Sequence, residues 1–102
     1  MQEYNVLFSD TADKDLEDIV EYLSNFSPNI ARRYYDEIMS KSLSLSIMPH
    51  RCPLVRDEFL REKGYRWLSI RNYTLFFVID EVNNVVDVRA IMYSKREYTA
   101  LL

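Results

Sequence analysis

The residues of this chain best suited to chemistry are cations and phenols at the ends of apolar runs: Arg66, Arg71, Arg89, Tyr93, Lys95 and Arg96. Guanidinium and ammonium groups clamp phosphates or carboxylates, and a phenol beside them can pass a proton or anchor an interface. Arg66 can equally pair with an acid on a neighbouring strand, such as Asp80 or Glu81. Arg71 reads as a solvated turn cation, and Arg89 either lines a partner surface or bridges to an acidic helix. Tyr93, Lys95 and Arg96 follow one strand end so closely that they are expected to converge with Arg66 at one edge of a sheet. His50, beside Arg51 in a loop, is a lone imidazole that can act as a general base. It is the only histidine, and Cys52 is the only cysteine. The chain therefore has no metal cluster, no thiolate zinc site and no internal disulfide, and Cys52 reads as a small apolar side chain. Asp13, Glu17 and Glu21 form an i, i+4 row, but no histidine or second carboxylate helix supports a metal or acid/base role for it. A single glycine excludes a glycine-rich phosphate loop, so no cofactor is expected.

The elements that must position these groups follow from periodicity. Tyr4 to Phe8 is a short apolar strand, and Ser9 is a good N-cap for a helix carrying Ala12, Leu16, Ile19, Val20, Leu23 and Phe26 on one stripe. Acids crowd its first turns, where the helix dipole favours them. Ser27-Pro28 caps and opens a second helix, with Ala31, Tyr34, Tyr35, Ile38, Ser42 and Leu45 inward and an end before Pro49. So short a turn makes the pair an antiparallel hairpin. A proline-punctuated loop, 48–53, and a charged connector of undefined form, 56–63, come next. Three apolar runs then follow: Gly64 to Ile70, Tyr73 to Asp80, and Val85 to Tyr93, separated by two short polar turns. The expected fold is α+β: an N-terminal strand, a two-helix hairpin, then a three-stranded antiparallel meander, with both helices on one face of a four-stranded sheet. Tyr73, Phe76 and Phe77, with Tyr34 and Tyr35, read as packing residues.

With 102 residues, 48% of them hydrophobic, residues 1–102 fit one domain. The opening Met1-Gln2-Glu3-Tyr4 has no basic n-region or apolar h-region, and no apolar run approaches a membrane span, so a cytoplasmic protein with no membrane partner is expected. The net charge of −3 hides a sorting along the chain: −6 over residues 1–40 and +3 over the rest. One basic face for an anionic or acidic partner is the consequence.

The order of elements, together with particular residues, resembles the RelE/ParE superfamily of type II toxin–antitoxin toxins. The residues are Ala12, Asp15, Leu16, Ile19 and Tyr22 in the first helix; Ala31-Arg32-Arg33-Tyr34; Leu45 with Pro49; Gly64-Tyr65-Arg66; Asn72-Tyr73; and Ile91 through Glu97. The resemblance implies a growth-inhibiting toxin of a plasmid-stabilisation module, neutralised by a cognate antitoxin that docks a helix and an extended segment. Its exposed apolar surface is expected to include the tail Tyr98 to Leu102. In the RelE branch, which consists of ribosome-dependent mRNA endonucleases, basic residues on the second and third strands, an Arg after the fourth and a later Tyr surround the scissile phosphate. Arg66 and Arg96, with Tyr93, would serve that role here. However, Thr74 stands where those enzymes carry the third-strand Arg, Leu102 where they carry the Tyr, and Trp67 or Leu68 replaces a second basic residue. A pI near 5.1 also suits the ribosome poorly. The ParE branch acts on DNA gyrase and needs no nuclease site, and it is the closer likeness. The implied target-binding residues are Arg66, Arg89, Tyr93, Lys95 and Arg96.

Overall fold

Ser9 starts the first helix as its hydroxyl promises: Oγ accepts the Ala12 N–H at 3.1 Å, and α1 runs Asp10–Ser24. A computed structural model describes residues 2–95, so Arg96 and the tail 98–102 lie outside the described residues. Ser27, extended as a residue before proline must be, accepts the Ile30 N–H at 3.3 Å and opens α2, Pro28–Leu43. Three residues separate the helices, so they fold back as a hairpin. Ala12, Leu16 and Ile19 of α1 face Ala31, Ile38 and Ser42 of α2 in the interior. The Ser42 hydroxyl is fully buried and satisfied by donating to the Ile38 carbonyl at 2.6 Å. Tyr34, not Tyr35, turns inward: Tyr35 is 43% exposed, and Phe26 at the end of the expected α1 stripe is 69% exposed. Both are expected inside from the sequence; Tyr35 falls beyond the arc of α2 that Ala31 and Ile38 define, and Phe26 lies in the turn past the end of α1 at Ser24. Leu45 closes α2 from a 3-10 turn, Ser44–Ser46, instead of from the helix itself.

The sheet has the order β1-β4-β3-β2, with β1 (Asn5–Phe8), β2 (Arg66–Ile70), β3 (Tyr73–Asp80) and β4 (Val85–Tyr93). Strands β2, β3 and β4 are the antiparallel meander; β1 joins the edge of β4 in parallel. A bulge opposite Phe76 and Phe77 leaves Arg89 without a partner in the ladder, since Phe77 faces Val88 and Phe76 faces Ala90. Beyond it, Ile91 turns to the helical side. Its N–H donates at 3.0 Å to Asp15 of α1, which ties helix and strand together. Hydrogen bonds to a charged acceptor contribute about 1.5–3 kcal/mol, which gives the Asp of the first-helix pattern a structural purpose.

Both faces of the sheet are covered, unequally. The hairpin lies over Ile70, Leu75, Phe77, Val86, Val88 and Ile91. On the other face a smaller cluster forms from Val55, Leu60, Tyr65, Phe76, Ala90 and Met92. It is covered by α3 (Glu58–Glu62), which is the form the undefined connector takes. Asp57 caps α3 through the Leu60 N–H at 3.0 Å. Gly64, at φ 85°, ends it, with its own N–H on the Arg61 carbonyl and that of Tyr65 on Leu60. Among the described residues no helix is long and apolar enough to cross a membrane, and none of the His, Cys, Asp and Glu side chains form a group that could hold a metal ion.

Candidate functional site

The meander fixes which cations can meet. Strands β2 and β4 each run antiparallel to β3, so they run in the same direction and finish at the same end of the sheet, with β3 between them. Tyr93 pairs with Tyr73, which pairs with Ile70, whereas Arg66 opens β2 opposite Phe77, four residues further along β3. At the rise of a strand that is about 13 Å. The expected convergence of Arg66 with Tyr93 and Lys95 therefore does not occur.

Nor does Arg66 pair with Asp80 or Glu81. Its guanidinium donates to the backbone carbonyls of Cys52 at 2.6 Å and His50 at 3.3 Å, pinning the proline loop to the sheet. Arg89, at the bulge, is next to the rung formed by Arg66, Phe77 and Val88 but on the opposite face from Arg66. It pairs with Asp87 of its own strand at 2.9 Å rather than with a helix. That hydrogen bond, and next after burial's opposing effect the one to Tyr65, holds its pKa above the usual arginine value. Arg71 is not a solvated turn cation. In a left-handed backbone at φ 54° it forms an ion pair with Glu37 of α2 and lies 5.1 Å from the centre of the Tyr34 ring. His50 is remote from these groups. Its Nε2 meets Glu81 at 2.7 Å, and Tyr4 donates to the same carboxylate at 3.0 Å. Burial first, then Glu81, pushes the Tyr4 phenol up. Glu81 follows the far end of β3, about 26 Å of strand away from Tyr73. Cys52 is buried, as expected, and burial raises its thiol pKa, so it stays protonated and unreactive at neutral pH.

What does assemble at the end of β4 is a groove of about 310 Å³ on the face away from the hairpin, lined by Arg56, Trp67, Thr74, Phe76, Met92, Tyr93 and Ser94. Register explains it: Trp67 pairs with Phe76, and Thr74 with Ser69 and Met92, so these side chains share one face. Leu68 points the other way, against the hairpin core. Trp67, at 38% exposed, is thus the residue presented at the second-strand position of the groove. Thr74 Oγ1 is 2.9 Å from Ser94 Oγ, a pair of neutral hydroxyls. Arg56 and Lys95 are exposed and make no ion pair among the described residues. Of the residues anticipated for function, Tyr93 lines the groove, and Lys95 follows its last lining residue, Ser94, in sequence. Sequence reasoning misses Arg56 because nothing in a charged connector marks the cation that precedes the Asp57 cap as a groove residue, and Trp67 because its facing depends on register.

This architecture is shared with toxins of toxin–antitoxin pairs. The structure resembles a chain of the toxin–antitoxin complex RelBE2 from Mycobacterium tuberculosis, with a TM-score of 0.65 and 22% identity over 89% of this chain and 98% of that one. It also resembles a chain of the chromosomal ParDE TA system from P. aeruginosa, with a TM-score of 0.74 and 16% identity over 91% of this chain and 98% of that one. Fold and elements are those of the RelE/ParE superfamily. Residues 6–98 match the family described as ParE toxin of type II toxin–antitoxin system, parDE, and the chain belongs to that family. No curated protein matches the sequence.

Proposed function

We propose that this toxin arrests growth by binding a cellular target, DNA gyrase, through the groove at the end of β4, and that a cognate antitoxin neutralises it by covering its exposed apolar surface. The carrying observation is the make-up of the groove. Where RNA-cutting relatives set cations around a phosphate, this chain presents Trp67 and the Thr74–Ser94 hydroxyl pair. Hydroxyls neither neutralise a developing phosphorane charge nor hold a proton ready at neutral pH, whereas an aromatic floor with Arg56 in its lining suits an acidic protein surface. Tyr93 at 47% exposed and the cations Lys95 and Arg56 are the contact residues of this reading; Arg96 follows in sequence, while Arg66 and Arg89 support the scaffold from which they project. The partnership with an antitoxin draws on the RelBE2 complex and the ParDE system.

Induced expression of the chain alone should stop growth and raise a DNA-damage response, with messenger RNA intact, and co-expression of the protein encoded beside it should restore growth. Growth arrest with cleaved messages and no DNA-damage response would favour the mRNA endonuclease instead. Unimpaired growth with no neighbouring partner gene would remove the toxin reading altogether.

A further inference from the structure

The target groove is built on two neighbouring rungs of the sheet that differ in chemistry. Trp67 pairs with Phe76, and two residues back along β3 Thr74 pairs with Met92. The first rung presents the exposed Trp67 indole. The second has Met92 as a buried floor and carries the Thr74–Ser94 hydroxyl pair. In such a pair one hydroxyl donates to the other, which leaves one proton for a ligand. At the rise of a strand the two rungs are about 7 Å apart. Arg56 supplies the cation of the lining. It is exposed and makes no ion pair among the described residues, while its neighbour Asp57 is committed to the Leu60 N–H.

Resting on the reading of this groove as the target surface, we propose that it recognises an extended acidic segment of the target, in which a large apolar side chain is followed two residues later by a carboxylate. Alternate side chains of an extended chain share one face and are again about 7 Å apart. A segment laid along the strands therefore keeps step with the rungs, its apolar side chain against Trp67 and its carboxylate within reach of Arg56 and the hydroxyl proton. Charge selects the occupant. A guanidinium holds a carboxylate through paired N–H bonds, and a hydroxyl adds one more. Size agrees, because about 310 Å³ is at the low end of ligand pockets and has room for one large side chain and a carboxylate. A helix, about 10–12 Å across, does not enter. Nucleic acid fits less well. Asp57 and Glu58 directly follow Arg56, so the charge at that wall suits a lone carboxylate better than a run of phosphates.

Trp67 is the only tryptophan, so its emission reports on the groove directly. The full chain is titrated at physiological salt with a blocked Gly-Leu-Ser-Glu-Gly peptide, the same peptide with Gln for Glu, a peptide with Leu and Glu adjacent, and a short oligothymidylate. A saturable change in emission is expected, with the Gln peptide about tenfold weaker and the adjacent-residue peptide about fivefold weaker. In Arg56→Gln, an exposed position, the Glu and Gln peptides should bind equally. Equal affinity for them in the parent chain, or indifference to the spacing, would overturn the motif; gyrase inhibition by that same chain would show that the target reading survives the failure. Selection of the Glu peptide by a chain that leaves gyrase active would uphold the site and overturn gyrase as the target. Tighter binding of the oligothymidylate would make single-stranded nucleic acid the occupant and overturn the proposal. Emission that shifts with protein concentration alone would overturn it in favour of a second copy of the chain.

Discussion

Phe77→Ala should cost about 3–5 kcal/mol, the range for emptying a buried aromatic site, and leave a chain of this size close to unfolding. Phe77 is fully buried and the largest such side chain among the described residues. It lies at the centre of the sheet, between Arg66 of β2 and Val88 of β4, at the bulge where β4 changes face. It also packs into the hairpin core, so its loss opens a void that neither the sheet nor the helices can close without moving the other. Urea unfolding followed by circular dichroism should show the midpoint falling by about 1 M or more, given slopes of about 1–3 kcal/mol per molar urea for small domains. Val82→Ala is the control: at 91% exposed, this turn residue should shift the midpoint by less than the experimental spread. A Phe77→Ala midpoint within 0.5 M of the parent, on the order of one error, would mean the core lies elsewhere.

The second large effect is at the groove. Tyr93→Ala combined with Lys95→Ala should weaken inhibition of gyrase supercoiling by about tenfold or more, because truncating an aromatic anchor and a nearby cation removes both burial and steering. The Tyr93 part should appear at any salt concentration, and the Lys95 part should fade as ionic strength rises. Far-ultraviolet spectra should not change, since both side chains are exposed where β4 ends. Arg66→Ala should act differently. By releasing the carbonyls of His50 and Cys52 it loosens the loop, so it lowers the unfolding midpoint before it touches inhibition. Inhibition unchanged in the double variant would move the target surface away from the end of β4.

What the residues alone reveal here is what depends on local rules. Ser9 and Ser27-Pro28 announce both helix starts because a cap and a pre-set φ act within four residues. The alternation in β3 and β4 announces the sheet and its two faces. Less legible are features made by pairing across the chain. The bulge that sets Arg89 aside depends on how β3 and β4 slide past each other, and the facing of Trp67 on β2 depends on that same register. Cations are the hardest to place: Arg66 and Arg89 read as candidates for a partner and Arg71 as a solvated turn cation, yet each has an internal partner, in loop carbonyls, Asp87 and Glu37 respectively. A long flexible side chain finds an acceptor fixed by tertiary structure, and no spacing in sequence encodes that. Arg56 shows the converse, an unremarked connector residue, just ahead of the α3 cap, that lines the groove. Four tyrosines scattered from Tyr22 to Tyr93 become one cleft only because α1, α2 and the meander fold onto the same end of the sheet.

The central claim, action by binding and not by cutting, meets its most direct test in a translation extract with primer extension along the message. In the nucleases the missing groups are each expected to supply on the order of a hundredfold or more in rate. With this protein present, the account predicts full-length extension products at every codon, indistinguishable from extract without it. Codon-specific stops that appear with the protein, and vanish in the Arg96→Ala variant, would contradict the account and make the toxin a nuclease.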